Sequence, residues 1–179
     1  AMHLLDTACF TYHRPQSAGW MSLCIHGIST VHTNCADDYN LPDDYEETDS
    51  HWTDIAKFCP KTVDFMENHL KYEDYTRVRF MVLLPGGWIG PHTDKDRQGF
   101  GATNIAVNNP DGCALVMEDW GTMPFEPGAI MKINTRYNHS VWNRSDTPRV
   151  HMIVDGGMGD YFKDRCVESY KRRGGMLDI

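Results

Sequence analysis

From residue 76 onward, short runs of strand-like residues alternate with turns, and this repetition constrains the fold more than any other feature of the chain. Within each run, apolar side chains tend to occupy every second position, which is the period of a strand with one buried face. The runs cover residues 77–84, 104–108, 113–118, 129–133 and 148–155. Turn sequences such as Pro85-Gly86-Gly87 and Glu126-Pro127-Gly128 separate them. Many short strands joined by close turns predict a mainly β fold, a jelly roll or double-stranded β-helix.

Further secondary structure is expected on both sides of these strands. Alternating residues over 21–25 predict an early strand that ends at Gly27. Pro60 can open one helix, and residues 161–173 form a second helical pattern with basic residues in its last turn. The apolar positions expected to face the core are Val63, Met66 and Leu70 in the first helix and Phe162, Val167 and Tyr170 in the second. We therefore expect a β barrel with flanking helices.

Between the early strand and the first helix lies an acidic stretch, residues 37–49. Seven Asp and Glu residues occur there among polar and turn-forming neighbours, a composition that favours a solvated loop over a buried segment. A surface connection and a lid over an active site are both consistent with it. The stretch lacks the residue order of a calcium-binding loop.

Size and composition favour a single domain and exclude several classes of function. At 179 residues and 41% hydrophobic content, the chain can bury one core, and we expect one domain over residues 1–179. No segment is apolar enough to span a bilayer, and no signal peptide is visible. The six cysteines contain no Cys-x-x-Cys pair, so we expect reduced thiols in a cytoplasmic protein, with a disulfide as the alternative. The net charge of −8 disfavours nucleic-acid binding.

His92, Asp94 and His139 have the residue types and spacing of an iron site. Alternate side chains of a strand share a face, so His92 and Asp94 can bind one edge of a metal from neighbouring positions. His139 would supply the third ligand. Two imidazoles and one carboxylate on one face of an octahedron leave three positions open, as in non-haem Fe(II) oxygenases. A 2-oxo acid would occupy two of these positions, and O2 the third.

Arg149 points to a particular co-substrate. It lies in a run of alternating polar and apolar residues, where Arg149 and His151 share one face of a predicted strand. A guanidinium in a polar pocket can bind the distal carboxylate of 2-oxoglutarate through two parallel hydrogen bonds, a geometry that lysine does not copy. We therefore expect Arg149 to anchor 2-oxoglutarate.

Three stretches of this chain resemble the aspartyl/asparaginyl β-hydroxylase family of Fe(II)/2-oxoglutarate oxygenases. They are residues 90–94, 138–142 and 148–155, and the resemblance extends over roughly residues 75–157. It implies a cupin-like jelly roll that uses Fe(II), 2-oxoglutarate and O2. The implied metal-binding and catalytic residues are His92, Asp94 and His139, with Arg149 at the co-substrate.

Differences within the family refine this expectation. Vertebrate members have a non-ligating residue two positions after the first histidine, whereas bacterial members that act on free proline have an acid there, as this chain does at Asp94. Those proline hydroxylases also have an Arg-x-His pair similar to Arg149 and His151. The family often has a histidine at the position of Asn104, which we assign to co-substrate binding with Arg149. Met81 replaces a serine that can help to bind 2-oxoglutarate.

Four polar residues are candidates for binding co-substrate or substrate. Arg79, Asn104, Asn108 and His151 suit a small molecule that carries a carboxylate and an amine. For Arg79 a structural ion pair is an equal alternative, and His151 could also orient a neighbour or simply pack. Family members act on amino acids, free or in a polypeptide, and with no second domain expected we favour a free amino acid or a small derivative over a peptide or protein.

The sequence thus predicts a dioxygenase that hydroxylates a C–H bond of an amino acid or derivative and releases succinate and CO2. Three alternatives stay open. The first is a hydroxylase of an Asp or Asn side chain in a peptide or protein. The second is a cupin-like metal- or ligand-binding module without turnover. The third is a halogenase, which Asp94 disfavours because chloride would need that ligand position.

Overall fold

The strand-like runs fold into one antiparallel sheet in the computed structural model, which describes residues 4–5, 10–12, 17–33, 50–70, 72–94, 101–157 and 159–172. Within these ranges the strands are β1 Thr11–Tyr12, β2 Ser17–Gly27, β3 His51–Trp52, β4 Asp74–His92, β5 Thr103–Ala106, β6 Cys113–Met117, β7 Gly121–Thr122, β8 Ile130–Lys132, β9 His139–Asn143 and β10 Arg149–Gly157. The helical segments are a 3-10 helix at Asp54–Phe58, α1 at Pro60–Asp64, a π-helix at Phe65–His69 and α2 at Asp160–Arg172. The acidic stretch 37–49 lies outside the described residues.

β4 is the central strand of the sheet. The main path of the sheet runs β7-β6-β9-β4-β10-β5-β8, and β2 also pairs with β4. β4 has 19 residues because it continues through Pro85-Gly86-Gly87, where the sequence predicts a turn. The predicted turn does not end the strand, because Gly86 adopts φ +73° and the chain bends there and continues. The pairing of β2 with β4 shifts register beside this bend, between Ala18 and Trp20.

Alternate residues of β4 belong to two separate hydrophobic clusters. Val78 and Phe80 join a cluster between the sheet and the helices, while Met81 and Leu83 join one inside the curl of the sheet. The helix-side cluster also contains Leu23, Ile25, Cys59, Met66, Leu70, Met152, Val154 and Phe162. The inner cluster also contains Trp20, Ile89, Leu115, Met117, Ile133 and Val141. This division is the period-2 alternation of a strand buried on both faces.

The helices cover the helix-side cluster, although less fully than the sequence predicts. In the first helical segment Met66 and Leu70 are buried, whereas Val63, also expected to face the core, is only partly buried and lies outside the cluster. In α2 Phe162 is buried, but Val167 is 40% exposed and Tyr170 is 43% exposed, which corrects the expectation that all three face the core. The reason is that α2 joins the cluster through Phe162 in its first turn, while Tyr170 lines an open groove of about 640 Å³.

The predicted mainly β, jelly-roll fold with flanking helices is confirmed: the antiparallel sheet curls around an inner cluster, and helices lie against its outer side. Cys24, Cys59, Cys113 and Cys166, the four cysteines among the described residues, are free thiols. In the same part of the chain, no helix combines the length and the apolar character needed to cross a membrane.

Candidate active site

A cavity of about 100 Å³ opens inside the curl of the sheet. Most of its wall is apolar and comes from the inner cluster, including Trp20, Leu115 and Val141. Its polar lining comprises His92, Asp94, His139, Arg149, His151, Asn104, Arg79 and Thr135. A small cavity with an apolar wall and a few convergent polar groups is typical of a ligand site.

His92, Asp94 and His139 converge at this cavity. One ligand atom from each residue lies within 4.8 Å of the other two, and His92 Nε2 lies 3.7 Å from Asp94 Oδ1. The sheet explains the convergence, because His92 at the end of β4 is the direct antiparallel partner of His139 at the start of β9. Their ring centroids are 4.3 Å apart. Register pairing therefore brings together residues 47 positions apart in the sequence.

Each of the two imidazoles is oriented by a carbonyl two residues earlier in the chain. His92 Nδ1 lies 2.8 Å from the Gly90 carbonyl oxygen, and His139 Nδ1 lies 3.0 Å from that of Tyr137. A carbonyl oxygen only accepts hydrogen bonds, so each Nδ1 carries the proton and donates it. The Nε2 lone pairs are then available to a metal, which is the ligand tautomer that such second hydrogen bonds select.

The donor set suits Fe(II). Two imidazoles and one carboxylate are ligands that bind Fe(II), and they form the 2-His-1-carboxylate set of non-haem iron oxygenases. All three residues line the cavity, so an ion that they held would be in contact with its interior.

Thr135 lies beside Asp94, one of the three candidate metal ligands, although no pattern in the sequence singles it out. Its carbonyl accepts a 2.8 Å hydrogen bond from the Asp94 backbone N–H. Thr135 is one of the residues that line the cavity, and its hydroxyl oxygen is buried without a hydrogen-bond partner among the described residues. Gly101 makes room for this hydroxyl, since a Cβ there would lie 2.7 Å from it. A buried hydroxyl of this kind suits a ligand oxygen or nitrogen.

Arg149 lies at the cavity with its guanidinium held on three sides. The residue is 2% exposed. Nε donates to Asn109 Oδ1 at 2.9 Å, Nη1 donates to His151 Nδ1 at 3.1 Å, and the Phe125 ring centroid lies 4.8 Å from the guanidinium carbon. Asn109 and Phe125 did not stand out in the sequence. A sequence signal exists only for Asn109, which opens the turn-like sequence Asn109-Pro110-Asp111-Gly112 directly after the strand-like run 104–108.

The charge of Arg149 has no acidic partner in the part of the chain that the structure describes. Burial lowers the pKa of the Arg149 guanidinium to about 10, so it is still protonated at neutral pH. A buried cation without a counter-ion is costly unless a ligand compensates it. The position therefore favours binding of an anion.

Arg79 lines the same cavity but has an acidic partner. Its Nη2 lies 2.8 Å from Asp155 Oδ2, and its Nη1 donates to the Thr33 carbonyl oxygen at 2.7 Å. Arg77 also approaches Asp155, at 3.3 Å. These contacts correspond to the structural ion pair that the sequence left as the alternative for Arg79.

Of the other residues predicted to bind co-substrate or substrate, two line the cavity and one instead connects two strands. Asn104 and His151 line the cavity, and Asn104 Nδ2 donates to the Ala102 carbonyl oxygen. Asn108 does not line it: its amide bonds to the Pro148 carbonyl and the Val150 N–H, which joins the end of β5 to β10. Met81 is buried opposite His151 in the β4–β10 register.

The comparisons with known proteins agree with this chemistry at the level of the family. The sequence profile of a family described as aspartyl/asparaginyl β-hydroxylase matches residues 16–157. No curated protein sequence matches the chain at a significant level.

Similar solved structures exist at low identity. A prolyl-4-hydroxylase from Pseudomonas putida shares 13% identity with a TM-score of 0.45, over 88% of this chain and 82% of its own. An oxidoreductase of the 2OG-Fe(II) oxygenase family from Burkholderia pseudomallei shares 15% with a TM-score of 0.46, over 83% and 73%. A cupin-superfamily sugar phosphate isomerase from Silicibacter pomeroyi shares 21% with a TM-score of 0.35, over 44% of this chain; the match spans 48%, about half, of that protein. TM-scores below 0.5 carry no functional argument.

Proposed function

Because this chain belongs to the aspartyl/asparaginyl β-hydroxylase family, we propose that it is an Fe(II)/2-oxoglutarate-dependent dioxygenase. It hydroxylates a C–H bond of an amino acid or amino-acid derivative and releases succinate and CO2. His92, Asp94 and His139 would hold the iron, and Arg149 would bind the distal carboxylate of 2-oxoglutarate. Asn104 and His151 are the further polar contacts at the cavity.

One arrangement carries this proposal: three metal-ligand side chains and a buried arginine line the same cavity. Arg149 has no carboxylate partner among the described residues, and a co-substrate carboxylate would supply one. A site that only bound metal would have no use for this uncompensated cation. The pairing of both features in one cavity therefore favours a metal-dependent enzyme with an anionic co-substrate.

When bound, Fe(II) together with 2-oxoglutarate supplies the activation of O2 for attack on an unreactive C–H bond. The protein itself orients the side chains of the site and excludes water from the cavity. Gly90 and Tyr137 fix the imidazoles in the ligand tautomer, so no proton has to move before metal binds. The apolar wall from Leu115, Val141 and their neighbours keeps the interior dry, which strengthens the interaction between Arg149 and a carboxylate.

A second space beside His92 would receive the substrate. It has a volume of about 210 Å³, includes Ser17, Gly90 and Pro91 in its lining, and does not reach Arg149. With 2-oxoglutarate at the Arg149 end, the substrate would then approach from this side. The small size of both spaces supports a free amino acid or a small derivative. An Asp or Asn side chain of a peptide is the alternative.

Anaerobic titration followed by admission of air tests this function. Fe(II) and 2-oxoglutarate added to the purified chain should produce a weak visible charge-transfer band, and succinate should appear with O2. The free amino acids and short Asp-, Asn- and Pro-containing peptides should then be compared for substrate-dependent succinate and, by mass spectrometry, for gain of one oxygen.

The possible outcomes separate the candidates. An amino acid that gains oxygen supports the proposal as stated. Oxygen gained only by a peptide would retain the dioxygenase and replace the substrate. A charge-transfer band with no succinate under any condition would instead identify a metal- and ligand-binding module without turnover.

A further inference from the structure

Of the two buried arginines that line the cavity, Arg149 is held by neutral groups only, among the residues that the structure describes. The three groups around the Arg149 guanidinium are an amide oxygen, an imidazole nitrogen and an aromatic ring, from Asn109, His151 and Phe125. Because arginine only donates hydrogen bonds, His151 Nδ1 must accept, which makes His151 neutral with its proton on Nε2. The guanidinium is therefore fixed in direction while its charge stays uncompensated.

The other two buried arginines among the described residues do have an acidic partner. Arg77 and Arg79 share the carboxylate of Asp155, which is the usual way in which a protein stabilises a buried cation. An acid in the place of Asn109 would do the same for Arg149, at the same distance from Nε. The chain thus has an amide at a position where a carboxylate would neutralise the arginine.

We propose that Asn109 is a positioning residue that aims Arg149 without neutralising it, and so keeps the charge available for the carboxylate of a ligand. This inference rests on the proposed function, because 2-oxoglutarate is the ligand it concerns. The ligand binds more tightly because its carboxylate forms an ion pair with an arginine that has no carboxylate partner among the described residues. A carboxylate of the protein at this place would have to be displaced, or it would repel the ligand. The ligand-free chain is less stable as a consequence.

Two substitutions at Asn109 separate this role from a structural one. Asn109→Asp should raise the thermal midpoint of the ligand-free chain by roughly 2–4 °C, and weaken anaerobic 2-oxoglutarate binding to the Fe(II)-loaded chain at least tenfold, about 1.4 kcal/mol. Asn109→Ala should lower the midpoint and also weaken binding. Asp111→Asn, at an exposed position of the same turn, is the charge control and should change neither quantity.

A midpoint that falls or stays unchanged in Asn109→Asp would overturn the proposal, because a merely structural asparagine loses stability in both variants. Unchanged 2-oxoglutarate affinity in Asn109→Asp would overturn it as well. If the wild-type chain fails to bind 2-oxoglutarate at all, the proposed function is wrong, and the midpoints alone then decide whether Arg149 is uncompensated.

Discussion

The two histidines that we propose as iron ligands are each oriented by a carbonyl two residues earlier in the chain, so each can be tested by itself. His139 donates Nδ1–H to the carbonyl of Tyr137 and presents Nε2 to the cavity. His139→Ala leaves two ligands, which hold iron poorly, so iron content and succinate formation should both fall to background. His151→Gln is the matched control: it removes another cavity histidine and should retain iron. Normal iron content in His139→Ala would refute the ligand set.

Arg149 should control the requirement for 2-oxoglutarate rather than for iron. Arg149→Lys keeps the positive charge but loses one of two parallel charge-assisted hydrogen bonds, a loss of roughly 1.5–3 kcal/mol or about ten- to a hundredfold in affinity. The measurement is the concentration of 2-oxoglutarate that half-saturates succinate formation, with iron affinity determined alongside. If that concentration does not change, Arg79 would be the next residue to test, since it lines the same cavity.

Single residues can be predicted from the sequence when their residue types and their spacing are typical of one kind of site. His92, Asp94 and His139 were selected on that basis, and the structure brings them together. Thr135 and Phe125 have no such signal. Thr135 lines the cavity from a loop, and Phe125 packs its ring against the Arg149 guanidinium from another loop, and a threonine or phenylalanine in a loop is ordinary in any sequence.

At the scale of the element, the bend in β4 brings Gly87 close to backbone atoms of both β2 and β4. A Cβ on Gly87 would lie 2.8 Å from the carbonyl oxygens of Ala18 and Leu84, both of which are backbone atoms that cannot move separately from their strands. Gly87→Ala should therefore destabilise the fold by about 1–3 kcal/mol, measured by denaturant unfolding.

The neighbouring glycine supplies the control for this prediction. Gly86 has φ +73°, and a Cβ on this residue would have nothing within 4 Å, so its requirement is conformational and not steric. Asparagine tolerates positive φ, and Gly86→Asn should change stability by a few tenths of a kcal/mol at most. Equal losses in the two variants would contradict the close-contact explanation.

Strands and helices were predictable where the periodic pattern of apolar residues is long and uninterrupted. Alternation located most of the strands from residue 76 onward to within a few residues, and the second helix was expected over 161–173 and occupies Asp160–Arg172. The sequence failed at Pro85-Gly86-Gly87, because proline and glycine predict a turn equally well whether the chain reverses or only bends. The π-helix at Phe65–His69 was likewise not predictable, since its pattern resembles that of an α-helix.

At the scale of the whole molecule, His26 should make stability depend on pH. Its ring packs edge-on against Trp52 and Tyr75, joining β2, β3 and the start of β4. Burial lowers the pKa of His26 from its ordinary value of 6.5. Below pH 6.5 the unfolded chain is protonated at this position before the folded chain, so stability falls as the pH falls from 6.5 through the lower folded pKa.

His26→Phe keeps a ring in this place and removes the titration. Denaturant unfolding at pH 7.5 and pH 5.5 should show a smaller loss of stability on acidification than in the wild-type chain. Tyr75→Phe retains both the contact and the histidine, and it should keep the wild-type dependence. An identical loss in His26→Phe and wild type would assign the acid sensitivity to other groups.

Because alternate side chains of β4 belong to two clusters, this strand also affects how the protein unfolds. Val78, Phe80, Met81 and Leu83 belong to one continuous stretch of backbone, yet they serve the helix-side and the inner cluster in turn. Because both clusters depend on this one strand, we expect them to lose their packing together. Amide protons in this stretch should therefore exchange with solvent only through global opening, and hydrogen exchange should reveal no partly folded species that retains the iron ligands after the helices have detached.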